Sequence, residues 1–190
     1  TKREKCRMNE KDLRVIKTKR ALSKSFYDLL EKHPFSTITV NQICNEALVH
    51  RTTFYKHFYD KYDLLIYLIT YLMKDYFSID FKERINNPFT IMEKTITDID
   101  ELNKVKEKQI EDKDFERTIT NYFIRVLQND IKDNMSRISV DPSVPIELIF
   151  YVYGASLFGF MEWMRDHNIK RPAHEIDEIF HKMINIKVKT

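Results

Sequence analysis

Between residues 37 and 65 the chain starts three helices in quick succession by nearly the same local device, and this narrows its fold more than any other feature. Thr39 is a good N-cap, Gln42 stands three residues on as its capping-box partner, and Ile38 can close on Ile43 as a hydrophobic staple. The device repeats around His50, with Val49 before the cap, Phe54 four residues into the helix and Phe58 one turn further on. It repeats again at Asp60, where Asp63 puts negative charge in the positive first turn and Tyr59 pairs with Leu64. The middle helix is therefore about two turns long, from Arg51 to Phe58.

So short a helix has little reason to exist for packing alone. Phe54 and Phe58 bury one stripe and leave Arg51, Thr52, Thr53, Tyr55, Lys56 and His57 facing outward. Arg can fork onto guanine, Thr can bond a base edge or touch a thymine methyl, and Tyr, Lys and His can hold phosphates. The solvated face of a small bundle would also be polar. Here, however, basic outward chemistry coincides with helix-turn-helix spacing, which favours docking on DNA.

This stretch resembles the DNA-binding domain of the TetR family of bacterial transcriptional regulators, from about Lys17 to Leu65. The most specific part is Arg51-Thr-Thr-Phe-Tyr-Lys-His-Phe followed by Asp60-Lys61 and Leu64-Leu65. It is similar to the family's Thr-(Leu/Phe)-Tyr-x-His-Phe core and the Lys that opens the next helix. Thr39-Val-Asn-Gln-Ile-Cys fits the first motif helix, and Ala21 to Leu30 the amphipathic helix that packs on it. The resemblance implies DNA contacts at Thr39, Arg51, Thr52, Thr53, Tyr55, Lys56, His57 and Lys61. Two positions depart from the family pattern. Leu48 stands where the family usually has Gly, and His50 where it has a small polar cap, so either the turn is built differently or Leu48 keeps an ordinary conformation.

The fold class follows from composition. Only two Gly and five Pro in 190 residues leave too few turn residues for a sheet protein of many short strands, while 43% apolar content suffices for a packed core. The expectation is an all-α chain, with an N-terminal three-helix helix-turn-helix domain and a C-terminal helical bundle. Its divisions are a basic arm at 1–11, a DNA-binding domain at 12–62 and a regulatory and dimerisation domain at 63–190. The net charge of +3 hides an asymmetry: residues 1–62 hold 14 Lys and Arg against 7 Asp and Glu, and the remainder 18 against 22. The basic end is the end with the motif, so a polyanionic partner suits that domain alone. The arm adds phosphate contacts or merely solubility.

Cys6 and Cys44 cannot define a disulfide scaffold, and Cys44 lies on the inward side of its helix, in keeping with a reducing cytoplasm. The first twenty residues are charged throughout, unlike a signal peptide. The strongest apolar run, Leu148 to Met161, is too short for a bilayer. A cytoplasmic protein without membrane association is expected.

Beyond the motif, the pattern predicts a helix from Asp60 to about Phe77 and another opened by Asn87-Pro88 with Phe89, Met92, Ile96, Ile99 and Leu102 on one side. After a turn within Lys104 to Asp114, further helices run from Phe115 to about Lys132, from Ile146 to about His167, and from Arg171-Pro172 to about Ile186. The helix from Ile146 is apolar nearly all round and contains both glycines, which suggests a second buried contact such as a partner subunit. Gly154, Phe158, Gly159 and Met161 are the candidate dimer residues, in line with the four-helix dimer interface the resemblance implies.

Chemistry is hard to find. Glu178-x-x-His181, with His174 one turn earlier, is a single copy of a motif that bundle metal sites use in pairs, and phosphate loops and nucleophile elbows are missing. No enzyme, metal or cofactor is expected. Tyr122, Phe123, Tyr151, Phe158 and Trp163 could line an apolar effector cavity or simply fill the core. The sequence thus points to a homodimeric transcriptional regulator, a repressor that binds a palindromic operator in double-stranded DNA and answers to a small apolar or aromatic effector. The alternative is a coactivator or protein–protein adaptor of the same fold that does not read an operator.

Overall fold

A computed structural model describes residues 13–95, 105 and 107–188, and these form two compact units. The arm at 1–11, and Ile96, Ile99 and Leu102, lie outside the described residues. Unit 1 takes in the chain to Ile69 and returns for Ile99–Arg117; unit 2 holds Thr70–Asp98 and Thr118–Thr190.

Unit 1 opens with α1, Leu13–Leu30, whose buried stripe of Val15, Leu22, Phe26, Leu29 and Leu30 recurs at helical spacing. A 3₁₀ turn, Phe35–Thr37, leads to α2, Val40–Glu46, and then come α3, Arg51–His57, and α4, Lys61–Leu72. The Thr39 capping box forms as expected: Thr39 Oγ1 accepts from the Gln42 N–H at 3.3 Å, and Gln42 Oε1 accepts from the Thr39 N–H at 2.8 Å. Asp60 likewise accepts from the Asp63 N–H, and Asp63 from the Tyr59 N–H, both at 2.9 Å. Phe26, Phe35, Ile38, Ile43, Phe54 and Leu64 are fully buried and close the core.

The link between α1 and α2 is held from two sides. Lys61 Nζ donates to the carbonyls of Phe35, Ser36 and Ile38 at 2.8, 3.0 and 2.9 Å and lies 4.6 Å from the Phe35 ring centroid. The other side is supplied by residues more than seventy positions later. Buried Gln109 accepts from the Phe35 N–H at 2.7 Å and donates to the carbonyls of Leu30 and His33 at 2.7 and 2.8 Å. Asp112 accepts from the Ser36 N–H at 2.6 Å and from the N–H groups of Asp114 and Phe115. Gln109 and Asp112 thereby pair backbone groups of Leu30, His33, Phe35 and Ser36, and Asp112 also satisfies N–H groups at the start of the helix that follows it.

Asp112 also makes unit 1 sensitive to acid. Burial alone would raise its carboxyl, but the N–H donors of Ser36, Phe115 and Asp114 outweigh burial and hold it below the ordinary aspartate range. A carboxyl depressed on folding stabilises above its unfolded value, near 4, and that contribution disappears as pH falls through the folded value. Asp112→Asn is therefore expected to lower stability near neutrality and to flatten the acid limb of unit 1. Thermal melts of both proteins from about pH 6 to about pH 3 check this, and parallel acid limbs would contradict it.

In unit 2 the helix expected from Asp60 to Phe77 is broken. Buried Met73, at φ −89° and ψ 1°, separates α4 from a short α5, Lys74–Ser78. Then come α6, Phe81–Asn86, capped by Asp80, and α7, Pro88–Thr95. Pro88 opens α7 as expected, but the bonds to its N-terminus come from another helix. Buried Asp177 accepts from the Phe89 and Thr90 N–H groups at 2.8 and 3.1 Å, placing a carboxylate at the positive end of α7. The long helices α8, Lys113–Asp133, and α9, Ile146–Asp166, pack with α10, Ala173–Met183, around Phe89, Leu127, Ile131, Tyr153, Leu157, Phe160 and Phe180. The final helix ends three residues short of the expected Ile186, because the chain turns extended and Lys187–Val188 pairs antiparallel with Ile138–Ser139. The architecture is otherwise the all-helical one expected.

Candidate nucleic-acid interface

The turn between α2 and α3 resolves what the sequence left open. Leu48 has φ 53°, the left-handed conformation in which glycine is usual. Its N–H donates to Asn45 O at 3.2 Å, and the next N–H, of Val49, reaches back to Cys44 O at 2.9 Å, which together make a Schellman motif. Asn168 occupies the same place after α9, with φ 49°. The turn thus has the ordinary backbone, built with a leucine where the conformation costs a Cβ-bearing residue about 1–2 kcal/mol. His50 occupies the N-cap of α3 but makes no side-chain capping bond.

From this turn α3 presents the expected face. Phe54 is fully buried, its ring 5.7 Å from that of buried Phe58, and this anchors the helix by one side. Arg51, Thr52, Tyr55 and Lys56 are exposed, with Thr53 and His57 half-buried beside them; Thr39, at the start of α2, is exposed as well. Arg51 and Tyr55 act as a pair that the sequence did not reveal. The guanidinium donates to the Tyr55 hydroxyl at 3.1 Å and lies 5.4 Å from the ring centroid, so one turn of helix pre-positions both side chains. Burial, and then the positive charges of Lys19 and Lys56, lower the His57 imidazole below its ordinary range, which leaves it uncharged at neutral pH. Burial raises the Cys44 thiol against the opposing pull of Arg51, so this buried sulfur stays protonated behind the face.

Lys61 stands apart from these residues. Its three donors are directed at three carbonyls, and its ammonium is lowered by burial while the Asp112, Asp114 and Asp60 carboxylates act to raise it. The site it serves is the α1–α2 link. Only spatial neighbours reveal this role, since a lysine opening a helix looks like a phosphate ligand in sequence.

Among the described residues, those expected to bind an effector lie in different surroundings. Tyr122, Phe123 and Phe158 form a chain of ring contacts at 6.0 and 5.8 Å, and the Tyr122 hydroxyl makes a short bond with Thr70. Tyr151 is 68% exposed. Trp163 lines an open groove of about 420 Å³ with Ser156, Gly159, Phe160, Ile179, Met183 and Ile184.

The dimer candidates separate too. Gly154 is buried, and a Cβ there would meet Leu127 Cβ at 3.5 Å and the Ile124 backbone at 3.6 Å, so the close helix approach it permits is to the chain's own α8. Phe158 faces Phe123, and half-buried Met161 packs on the unit 2 core. Gly159 alone of the four opens onto the groove, with no atom near its missing Cβ. Among the described residues no cluster of His, Cys, Asp and Glu is arranged to hold a metal, and no helix is long and apolar enough to cross a membrane.

An amphipathic support helix, two short helices joined by a left-handed turn and a basic outward face define a helix-turn-helix domain. Residues 27–68 match the family described as bacterial regulatory proteins, tetR family. Over 55 residues it is 42% identical to a Bacillus subtilis (strain 168) protein described as the uncharacterized HTH-type transcriptional regulator YxbF, a match that takes in 28% of this chain and 14% of the relative. Two solved structures share the fold over nearly the whole length. The dihydroxyacetone kinase operon activator DhaS aligns with TM-score 0.52 at 18% identity, covering 90% of this chain and 93% of that one. NalD, the secondary repressor of the MexAB-OprM multidrug efflux pump in Pseudomonas aeruginosa, aligns with TM-score 0.50 at 17% identity, covering 88% and 93%.

Proposed function

We propose that this protein is a sequence-specific DNA-binding transcriptional regulator, a cytoplasmic repressor that binds a palindromic operator as a homodimer. The observation that carries this reading is the outward face of α3. It sets Arg51, Thr52, Thr53, Tyr55, Lys56 and His57 on a helix anchored by Phe54 and aimed by a Schellman turn. In the proposed complex, α3 lies in the major groove with Arg51 and the threonines at base edges. Tyr55 and Lys56 hold phosphate, and Thr39 meets the backbone from the start of α2.

The dimer reading is supported by the groove between α9 and α10, where Trp163 and Met183 leave apolar surface uncovered. A second copy buries it, and the two-fold axis pairs the α3 helices about 34–36 Å apart or a multiple of that. A small apolar or aromatic effector is proposed for unit 2, near the rings of Tyr122, Phe123 and Phe158; α4 and α8, which carry the chain between the units, are its covalent route to the DNA-binding helices.

Selection from a random duplex library at moderate salt tests the proposal, with an enriched palindrome expected. Lys56→Ala should then weaken binding to every sequence and reduce the slope of log affinity against log salt by about 0.9, one phosphate contact. Recovery of no enriched duplex would favour the adaptor reading.

A further inference from the structure

The face of α3 accounts for the polar reading of a duplex, but it leaves Leu48 unexplained. This residue is unfavourable for the free protein in two ways. Its φ of 53° puts a Cβ where glycine or asparagine is at ease, and its side chain is 93% exposed, an apolar group in water with no packing gained in return. The turn itself does not require it, since both backbone bonds of the motif would form with glycine there, and Asn168 makes the same turn after α9. What distinguishes Leu48 is its place. It lies two residues before the N-cap of α3 and three before Arg51, at the end of the recognition helix that reaches base edges when such a helix enters the major groove.

We infer that Leu48 is a DNA-contacting residue of the proposed complex, making an apolar contact with the duplex beside the first turn of α3. Two duplex groups match a leucine there: the C5-methyl of a thymine and the carbon face of a deoxyribose. The thymine methyl confers sequence preference directly, and the sugar confers affinity without it. The inference rests on the DNA-binding reading and adds to it a residue that forms no hydrogen bond to a base, and whose side chain would be dispensable for folding.

The test uses the full chain and the duplex it selects. Leu48→Gly relieves the strained conformation, and Leu48→Asn keeps the left-handed turn and a side chain of similar size while removing the apolar group. Both variants are expected to melt higher than the parent, by about 4–8 °C for glycine if unit 1 unfolds as a small domain, and both to bind the selected duplex about tenfold more weakly. Replacing single thymines by deoxyuridine removes one methyl at a time. A loss seen with the parent at one position, and absent in Leu48→Asn, assigns the thymine methyl; weaker binding by both variants with no deoxyuridine effect assigns the sugar. Higher melting with unchanged affinity in both variants overturns the inference while leaving DNA binding intact. Failure of the parent to enrich any duplex overturns the DNA-binding reading itself, a different result in a different measurement.

Discussion

Asp130→Ala should destabilise unit 2 by about 3–5 kcal/mol, because it leaves a buried guanidinium without its counter-charge. Arg84 is 5% exposed and sits over the rings of Phe77, Tyr76 and Phe81, with centroids at 5.2, 5.6 and 5.8 Å. Its Nη1 and Nη2 both donate to the Asp130 carboxylate, the second at 2.9 Å, and Nε donates to Ile79 O at 3.0 Å. The surroundings are dry enough that burial pushes the Tyr76 hydroxyl up to about 12. Removing one charge therefore costs far more than removing both. The double change Arg84→Met with Asp130→Leu should be close to neutral, since it removes the ions and fills their space. Trp163, the one tryptophan of the chain, lies in unit 2 and reports its unfolding by fluorescence in urea. A loss below about 1 kcal/mol for Asp130→Ala would mean that water reaches the guanidinium.

Lys61→Met is the second large effect. Three carbonyls lose a charged donor, and after allowance for the partial exposure of the ammonium the expected cost to unit 1 is about 2–3 kcal/mol. Affinity for the proposed DNA site should fall with it, as the α1–α2 link loosens. The salt dependence separates this role from the phosphate contact that the sequence suggested. A clamp leaves the salt slope unchanged, while a lost phosphate contact lowers it by about 0.9. Amide exchange at Phe35, Ser36 and Ile38 should accelerate in the variant. Protection there equal to the parent's would show that the three bonds do not hold the link.

The elements read correctly from sequence were those specified by near neighbours. The Thr39 and Gln42 capping box, the two-turn α3 with Phe54 inside, and Pro88 at the start of α7 each depend on side chains within about one turn of the backbone they organise. What sequence missed is set by residues far apart in the chain. Asp177 satisfies the start of α7 from 88 positions away, and nothing local marks it among the acidic residues of α10. The two glycines of α9 looked equivalent, yet Gly154 admits the chain's own α8 and Gly159 faces open space. Met73 breaks a helix whose apolar spacing continues through it, so periodicity alone could not find the break. The outward face of α3 was legible because its residues lie on a single short helix. The bonds of Lys61 were not legible because its partners are carbonyls, which no sequence pattern displays.

The bonds from Gln109 and Asp112 to the α1–α2 link also bear on how the protein is made. Unit 1 is not complete when Ile69 leaves the ribosome, for the residues that close it come about forty positions later. At typical synthesis rates that is a delay of about two to eight seconds, during which the nascent helices carry open N–H and carbonyl groups around Phe35 and the start of unit 2 is already emerging. Closing so long a loop adds an entropic barrier that the neighbouring helix pairs do not face. A helix-turn-helix domain assembled this way reaches its final form only after the intervening part of unit 2 has been synthesised, so a chain halted before Gln109 would present the α1–α2 link without the bonds that close it.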